Sequence, residues 1–414
     1  MMWETKTFEE LYLEPSRNGI YKPKEFHGRG CKIVNMGELF AYDFVGQQDM
    51  KRVELNEKEL VRDTLKDGDI LFGRRSLVES GAGKSSIVKN LNEPTTYESS
   101  VIRLRLNKKH SNPYFYYYWL LSPSGKGAIA SIVTGANVKG IKSSDLKNIV
   151  VPTPTLPTQN KIVGILSAYD DLIENNLKRI KLLEKMAQIT YEEWFVHLRF
   201  PGHESTPINP ETDLPEGWEK LSLSQIGEYL NGYAFKPKDL GDEGMPIIKI
   251  KEIKGGVVYD TPRNTGEKIP EKYLVETGQI LFSWSASLEV VIWQYERGLL
   301  NQHLFKVTPK KGVSKAFLFL ALKEALKVFD GLTTGATMKH IKRKELDFVQ
   351  TAVPNNRLMQ EFDVLVGAVI EEILNLSKQN QRLREARDIL LPRLMTGIID
   401  VEEYDPSQLL KEAA

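Results

Sequence analysis

The sequence repeats itself, and this repeat limits the possible folds more than any other feature of the chain. Thr134–Lys142 reads TGANVKGIK and Thr334–Lys342 reads TGATMKHIK, so six identical residues recur in register at an offset of 200. The segment GDILF from Gly68 matches GQILF from Gly278. Such self-similarity is typical of one structural unit used twice. Other matched positions are Trp3 with Trp218, Tyr21 with Phe235, and Ile33, Val34 and Met36 with Ile247, Ile248 and Ile250.

Each repeat has two parts, and the change between them predicts the fold class. About 150 residues of short apolar alternations, for example the segment Ile247–Ile253, predict strands. After Pro157 and again after Pro354 the apolar residues follow steps of four and three, which is typical of a coiled-coil seam. Each helix would contain about 35 residues and be roughly 50 Å long. We therefore predict an α+β fold with two strand-rich domains and two long helices that pair.

The domain boundaries follow from this plan. We expect a first domain at 1–155, a first helix at 156–199, a linker and second domain at 200–353, and a second helix with a tail at 354–414. Each seam contains one asparagine, Asn176 or Asn380, which either fixes the helix register or lies at a solvated edge. The predicted helix-pairing residues are Ile162, Leu166, Ile173, Ile180, Phe362, Val366, Ile373 and Leu383.

Composition narrows the possible locations and partners. The chain has no apolar run of about 18 residues, so we expect no membrane span. A single cysteine, Cys31, cannot form an intrachain disulfide, which favours the reducing cytoplasm. The formal net charge is +1, low for a protein that holds nucleic acid alone. Either the basic residues gather on one face or partner proteins complete the contact with DNA.

Two glycine-rich segments resemble cofactor loops only in part. Phe26–Gly30 matches a pattern found in S-adenosylmethionine sites, but the apolar strand that should precede it is missing. Gly81–Ser86 resembles the end of a phosphate-binding loop, but Val78 stands where that loop requires a glycine. A contact between this segment and a DNA phosphate is the more plausible role, and we predict no cofactor on this chain.

The enzyme alternative is a magnesium-dependent nuclease. Asp242, Glu252 and Lys254 loosely match the carboxylates and lysine of such a site. The aligned segment of the first repeat, which starts at Asn35, has no equivalent lysine. Alternating charge on the solvated face of a strand is therefore the favoured interpretation. The scattered histidines do not suggest a zinc site.

Basic and polar clusters on predicted loops are the candidates for DNA contact. Arg74 and Arg75 follow the strand that starts at Gly68, whereas Trp284 follows its counterpart at Gly278. Arginine reads guanine edges, and tryptophan offers apolar or stacking contacts, so one scaffold position would serve two different targets. Solvated loops are the alternative. The predicted DNA-binding residues are Tyr21, Lys22, Arg74, Arg75, Ser76, Lys84, Ser85, Lys139, Lys142, Phe235, Lys236, Ser283, Trp284, Ser285, Lys339, Lys342 and Arg343.

An aromatic run, Tyr114–Trp119, could suggest a platform for base stacking. The second repeat has an aliphatic and phenylalanine segment, Ala316–Leu320, at the comparable place. Because the two segments share apolar character rather than aromatic faces, we predict that both pack in a core.

The order of these parts resembles the specificity subunit of type I restriction–modification systems, across essentially the whole chain. The resemblance rests on the duplicated TGA-x-x-K-x-I-K segments, the segments that begin the helices up to Gln159 and Gln360, and the closing LPRLMTG up to Gly397. The two helix starts differ by one residue in the position of the glutamine.

The resemblance implies a non-catalytic, sequence-specific DNA-binding subunit. It would have two target recognition domains, each reading one half of a split site in double-stranded DNA, held apart by the two helices packed antiparallel. Two methyltransferase subunits and motor–nuclease restriction subunits would be its partners, and S-adenosylmethionine, ATP and magnesium would belong to those partners. A coiled-coil adaptor that never binds DNA is a further alternative.

Overall fold

The structure is a computed structural model that describes residues 3–76, 81–136, 138–332, 339–341 and 343–402. The chain divides into two compact units. The first unit consists of residues 3–171 together with 383–402, and the second consists of residues 172–382.

The first unit is built on a five-stranded sheet with the order β2-β10-β6-β8-β4. Its strands are β1 (Thr5–Thr7), β2 (Tyr12–Asn18), β3 (His27–Val34), β4 (Phe44–Val45), β5 (Arg52–Val53), β6 (Ile70–Gly73), β7 (Arg75–Ser76), β8 (Ser85–Val88), β9 (Thr95–Tyr97), β10 (Val101–Leu106), β11 (Lys139–Gly140) and β12 (Val150–Pro152). Its helices are α1 (Met36–Ala41), α2 (Glu57–Asp63), α3 (Pro113–Leu121), α4 (Pro123–Ser131), α5 (Ser143–Leu146) and the first part of α6 (Leu156–Tyr191).

The second unit has a four-stranded sheet with the order β16-β24-β20-β22. Its strands are β13 (Ile208–Asn209), β14 (Leu214–Pro215), β15 (Glu219–Ser222), β16 (Gly227–Asn231), β17 (Met245–Ile248), β18 (Arg263–Asn264), β19 (Leu274–Val275), β20 (Ile280–Ser283), β21 (Ser285–Ala286), β22 (Glu289–Ile292), β23 (Gly298–Leu300), β24 (Leu304–Pro309), β25 (Lys339–His340) and β26 (Gln350–Val353). Its helices are the second part of α6, α7 (Leu223–Ile226), α8 (Ile250–Gly255), α9 (Lys315–Leu332), α10 (Asn356–Phe362) and the first part of α11 (Ala368–Met395), whose end belongs to the first unit.

The predicted α+β repeat is confirmed by matching strand connections. In the first unit β6 lies between β10 and β8, and in the second β20 lies between β24 and β22. A parallel pair accompanies each sheet, β3 with β9 in the first unit and β17 with β23 in the second. The repeated GDILF and GQILF segments form β6 and β20, whose apolar side chains are buried on both faces.

The segment Ile247–Ile253 corrects one of our strand predictions. Only its first residues belong to a strand, and Ile250 begins the short helix α8. The helix begins there because the Glu252 carboxylate accepts a hydrogen bond from the Lys249 backbone N–H at 3.0 Å, which completes a capping box. This local cap outweighs the apolar alternation that favoured a strand.

Both long helices begin where side chains cap them. The Thr155 hydroxyl accepts from the Thr158 N–H at 3.3 Å at the start of α6, and the Asn355 side chain accepts from the Leu358 N–H at 3.0 Å at the start of α10. A π-helical turn, Asp363–Gly367, joins α10 to α11.

Within each unit the two long helices run antiparallel. In the first unit Asp170 of α6 contacts Arg387 of α11, and Lys161 contacts the backbone of Glu402, which lies beyond the end of α11. In the second unit Asn176 contacts Asn380, and Arg179 contacts Glu372. In both units the residue numbers rise along one helix as they fall along the other, which establishes the antiparallel direction. Of the predicted pairing residues, five are buried, and three are half-buried: Ile180, Ile373 and Leu383.

The two asparagines of the seams form a buried pair. Asn176 Nδ2 donates to Asn380 Oδ1 at 3.0 Å, and the two residues are 5% and 1% exposed. This geometry excludes the solvated-edge interpretation and leaves the register-fixing one.

Two further sequence predictions concern packing. Tyr114–Trp119 lies on α3, where Phe115, Tyr116, Tyr117, Tyr118 and Trp119 are all buried, so the predicted core role is confirmed. The predicted linker region carries the small β13–β14 hairpin, and the Phe200 ring packs against Trp218 at a centroid distance of 4.9 Å.

Among the residues that the structure describes, no helix has the length and apolar character to cross a membrane.

Candidate nucleic-acid interface

In the first unit a two-stranded ladder joins two of the predicted DNA-contact segments. β7 pairs antiparallel with β11, so Ser76 lies opposite Lys139. The Ile141 N–H donates to the Arg74 carbonyl oxygen at 3.0 Å and extends the ladder. Arg75 and Lys142 are exposed, and Arg74 and Lys139 are half-buried. The fold therefore gathers basic side chains from segments about sixty residues apart in sequence.

The second unit has the same ladder in the same place. β21 pairs antiparallel with β25, and Ser285 lies opposite His340. The Ile341 N–H donates to the Trp284 carbonyl oxygen at 2.9 Å, as Ile141 does to Arg74. Lys339 lies in this ladder, whereas Lys342 lies outside the described residues. Trp284 is thus the counterpart of Arg74, as the sequence repeat predicts.

Side chains around Trp284 differ from those of the first ladder. The indole Nε1 donates to Asn231 Oδ1 at 3.1 Å, and the ring centroid lies 5.9 Å from those of His303 and Phe305. Trp284 is half-buried and His303 is exposed, so this group offers an aromatic edge and an imidazole to solvent. Sequence reasoning missed Asn231 and His303 because they lie far from Trp284 along the chain and have no repeated signature.

The matched ladders can therefore present different chemistry from one backbone frame. Guanidinium groups, as at Arg74 and Arg75, donate two parallel hydrogen bonds and suit guanine edges or phosphates. The tryptophan and imidazole of the second unit suit apolar contact with a thymine methyl or stacking.

Several other candidates are held by neighbouring residues. Lys22 Nζ lies 2.7 Å from a carboxylate oxygen of Glu59 and 4.9 Å from the centre of the Phe26 ring. Lys84 Nζ lies 3.4 Å from Asp43, and Ser85 is buried in β8. Tyr21, beside Lys22, is 82% exposed.

In the second unit three more candidates differ in exposure. Phe235 packs edge-on against Tyr233 at 5.0 Å, and the neighbouring Lys236 is exposed. Ser283 is fully buried, and its hydroxyl donates to the Ser287 carbonyl oxygen at 2.7 Å. Ser283 therefore shapes the loop after β20, Ser285 is also buried, and the half-buried Trp284 between them is the side chain that reaches solvent.

Arg343 lies at the rim of a cleft of about 860 Å³ in the second unit. Lys306, Lys310 and Lys344 line the same cleft. Burial lowers the pKa of Lys306, whose Nζ donates to the Leu274 carbonyl oxygen at 2.8 Å. Three lysines and Arg343 line the cleft together with Glu228 and Asp347, so the balance of charge is positive and suits a phosphate group.

Of the residues of the nuclease alternative, Glu252 serves the fold, and the prediction that it lies on the solvated face of a strand is wrong. Glu252 is fully buried, caps α8, and accepts a hydrogen bond from the Thr261 hydroxyl at 3.3 Å. Glu38, at the aligned position of the first repeat, caps α1 in the same way, with the Asn35 N–H at 2.9 Å. Asp242 lies on an exposed turn. The repeated carboxylate is therefore a helix cap, which explains the match without a metal.

An ionic cluster, buried except for the partly exposed Glu14, lies across the sheet of the first unit. Arg105 donates to both carboxylate oxygens of Asp69 at 2.7 and 2.6 Å, and Glu14 accepts from Arg103 and Arg105 at 2.7 and 2.6 Å. These charges are paired and connect β2, β10 and the residue before β6, so they stabilise the sheet of the first unit.

Comparisons with known proteins place this geometry in context. The family model of the type I restriction modification DNA specificity domain matches residues 34–185 and 215–361. The chain is 26% identical to the type I restriction enzyme MjaIX specificity subunit of Methanocaldococcus jannaschii, over 97% of this chain and 94% of that protein. It is 23% identical to the HindI specificity subunit of Haemophilus influenzae, over 89% of this chain and 94% of that protein.

A solved structure shares the fold. The crystal structure of the type I restriction–modification system S subunit from M. genitalium matches with a TM-score of 0.55 and 16% identity, over 95% of this chain and 96% of that one.

Proposed function

The chain belongs to the type I restriction modification DNA specificity family, and from that premise we propose that each of its two units reads one half of a split DNA site. As a specificity subunit it recognises DNA within a restriction–modification complex and carries no catalytic centre of its own. The finer assignment, of one half-site to each unit, rests on the two ladders.

One observation carries this assignment. The ladders β7–β11 and β21–β25 have the same hydrogen-bond pattern, but one presents Arg74 and Arg75 and the other presents Trp284. A protein that read the same bases twice would keep the same side chains at both positions. Different donors on one frame suit two different half-sites, because base edges are distinguished by their hydrogen-bond and methyl patterns.

In this proposal the neighbouring cations position the DNA rather than select its sequence. Lys139 and Lys142 in the first unit, and Lys339, Lys342 and Arg343 in the second, occur at corresponding places in the repeat. Contacts from lysine to phosphate fix orientation and carry no direct sequence information. The exposed Tyr21 and Lys236 complete the proposed surfaces, whereas the two serines beside Trp284 are buried and serve the loop itself.

The proposed partners are two methyltransferase subunits and the motor–nuclease subunits, which would bind S-adenosylmethionine, ATP and magnesium. The net charge of +1 supports a DNA clamp that partners complete, because phosphate neutralisation requires concentrated positive charge. A DNA target also places the complex, in our proposal, in the cytoplasm.

The test is a map of methylated adenines in the host genome, with and without the gene. We expect a single split motif, two short half-sites around a fixed gap, to disappear with the gene. Arg74→Ala with Arg75→Ala should relax or abolish one half of the motif, and Trp284→Ala should affect only the other half. Lys6→Ala, which removes an exposed charge on β1, is the control and should leave both halves unchanged.

Two results would contradict the proposal. A change in both halves on mutating one ladder would show that the units do not read independently. If the double arginine variant assembles with its partner and binds DNA with unchanged preference, the ladder of the first unit is not a reading surface.

A further inference from the structure

The two sheets differ at one edge. In the first unit β4 pairs in parallel with β8 and covers this edge. The N–H groups of Ile87 and Lys89 donate to the carbonyl oxygens of Asp43 and Val45 at 3.0 and 2.9 Å. The covering strand is therefore an extended segment of the chain itself, and it satisfies the outward-facing backbone of β8.

Side chains hold this covering segment in place. The Phe44 ring packs against Tyr117 at a centroid distance of 5.6 Å, and Lys89 Nζ lies 5.0 Å from the centre of the same ring. Val45 is fully buried. Asp43 lies 3.4 Å from Lys84 Nζ. The segment thus combines an acidic residue, an aromatic residue and a branched apolar residue in sequence.

The corresponding edge of the second unit is β22. The Gly68 N–H donates to the Val88 carbonyl oxygen, and the Gly278 N–H donates to the Trp293 carbonyl oxygen, so Val88 and Trp293 are equivalent. By this register Ile292 and Gln294 correspond to Ile87 and Lys89. β22 pairs with β20 on its other side, and within the described part of the chain no strand pairs with its outer edge.

The chain that would cover this edge takes a different path. After α8, the residues aligned with Asp43–Val45 turn back, and the Val258 N–H donates to the Thr261 hydroxyl oxygen at 3.0 Å. Thr261 in turn donates to Glu252, the capping residue of α8. In the second unit the equivalent segment therefore forms a turn instead of an edge strand.

A cavity of about 480 Å³ lies along β22 within the second unit. Apolar walls come from Phe319 and Leu374, and polar walls from Lys185, Lys323 and Glu289. Lys181 and Glu184 also contact the cavity, so three lysines face two glutamates. This excess of positive charge favours an acidic occupant with apolar side chains.

We propose that the open edge of β22 is a docking site for an extended acidic–apolar segment of another protein. The segment adds a strand parallel to β22, as β4 does to β8, and accepts hydrogen bonds from the N–H groups of Ile292 and Gln294. Main-chain pairing at a sheet edge gives affinity, and side-chain pockets give specificity. The site is independent of the DNA-reading ladders, so it stands or falls separately from the proposed function.

The probe is a fluorescently labelled peptide with the sequence of residues 41–47, AYDFVGQ, titrated into the full-length chain bound to its methyltransferase partner. We expect saturable binding, measured by fluorescence anisotropy. Ile292→Pro removes one outward N–H, at a position where an edge strand tolerates proline, and should weaken binding at least tenfold. Ile292→Val keeps the N–H and is the matched control. A peptide that fails to bind, or binds the proline variant equally well, overturns the proposal.

A charge reversal tests the site without altering the backbone. Lys185→Glu with Lys323→Glu should weaken the acidic peptide at least tenfold and strengthen a peptide in which the aspartate is replaced by lysine. DNA binding by the same variant should remain unchanged. Equal affinities of both peptides for wild-type and variant protein would refute the site even if the proline variant failed to fold.

Discussion

Asp170 makes two buried contacts within the first unit. Its carboxylate accepts a hydrogen bond from the Tyr118 hydroxyl at 2.6 Å and another from Arg387 Nη1 at 2.5 Å. Burial, together with the Asp170 charge, raises the pKa of Tyr118 well above its usual range, so the phenol remains a donor. One side chain thereby ties the aromatic helix α3 to both long helices. A buried charge of this kind is costly to leave unpaired.

Asp170→Asn should destabilise the protein by about 2–4 kcal/mol, because the amide keeps the shape but removes the buried charge that pairs with Arg387, which then keeps only the exposed Asp388. Asp171→Asn is the matched control, since Asp171 is exposed and pairs with Lys89 at the surface. The control should cost less than about 1 kcal/mol. Chemical denaturation monitored by circular dichroism measures both free energies of unfolding. Equal costs for the two variants would show that the buried pair does not hold the unit together.

The sequence could predict residues that the repeat marks twice, but not those that depend on a single packing event. Arg74 and Trp284 could be matched as equivalent positions because each follows a repeated strand. Asp170 carries no such mark, since its partners Tyr118 and Arg387 come from distant parts of the chain. Glu252 was expected on the solvated face of a strand, which is wrong, and its role as a buried cap became evident only from the matching bond at Glu38.

The helix seam shows what a periodic pattern predicts at the scale of elements. Its period correctly predicted two long helices, and the capped starts at Leu156 and Asn356 lie close to the prolines that suggested them. The half-buried Ile180, Ile373 and Leu383 show that periodicity alone does not give the depth of burial, which depends on what packs against each turn. The helix α8 was missed because a capping box outweighs a short apolar alternation.

Asn176→Leu should cost about 1–3 kcal/mol, because it leaves the amide of Asn380 buried without a side-chain partner. Replacing both residues by leucine should recover at least the wild-type stability, since an apolar pair needs no hydrogen bond. A double-mutant cycle of unfolding free energies measures this coupling. Simple additivity of the two single costs would mean that the pair contributes nothing specific to the register.

At the scale of the whole molecule, the two units differ in the ladders that we propose for DNA contact and agree in the strands that support them. The ladders differ in side chains, whereas the order of the strands shared by the two sheets agrees. We therefore expect target sequence and target spacing to be altered independently of each other. The bases themselves could not be predicted, because readout depends on side-chain geometry and DNA shape.

Inserting one heptad after residue 171 and another after residue 382 should lengthen both helices by about 10 Å and widen the gap in the methylated motif by roughly 3 base pairs. The two half-sites should stay the same, because neither ladder is altered. Methylation mapping of a strain that carries the variant measures both properties together. Altered half-sites around an unchanged gap would show that the helices do not set the spacing.

The first unit is discontinuous, since residues 383–402 return to it after the whole second unit. Leu391, Leu394 and Met395 fill its core, and Arg387 pairs with Asp170. A ribosome therefore synthesises the beginning of this unit first and its last core residues only after the second unit has been translated. A chain that stops anywhere within 172–382 lacks those residues and leaves Asp170 without Arg387. Translation order thus makes the first unit the last to be completed.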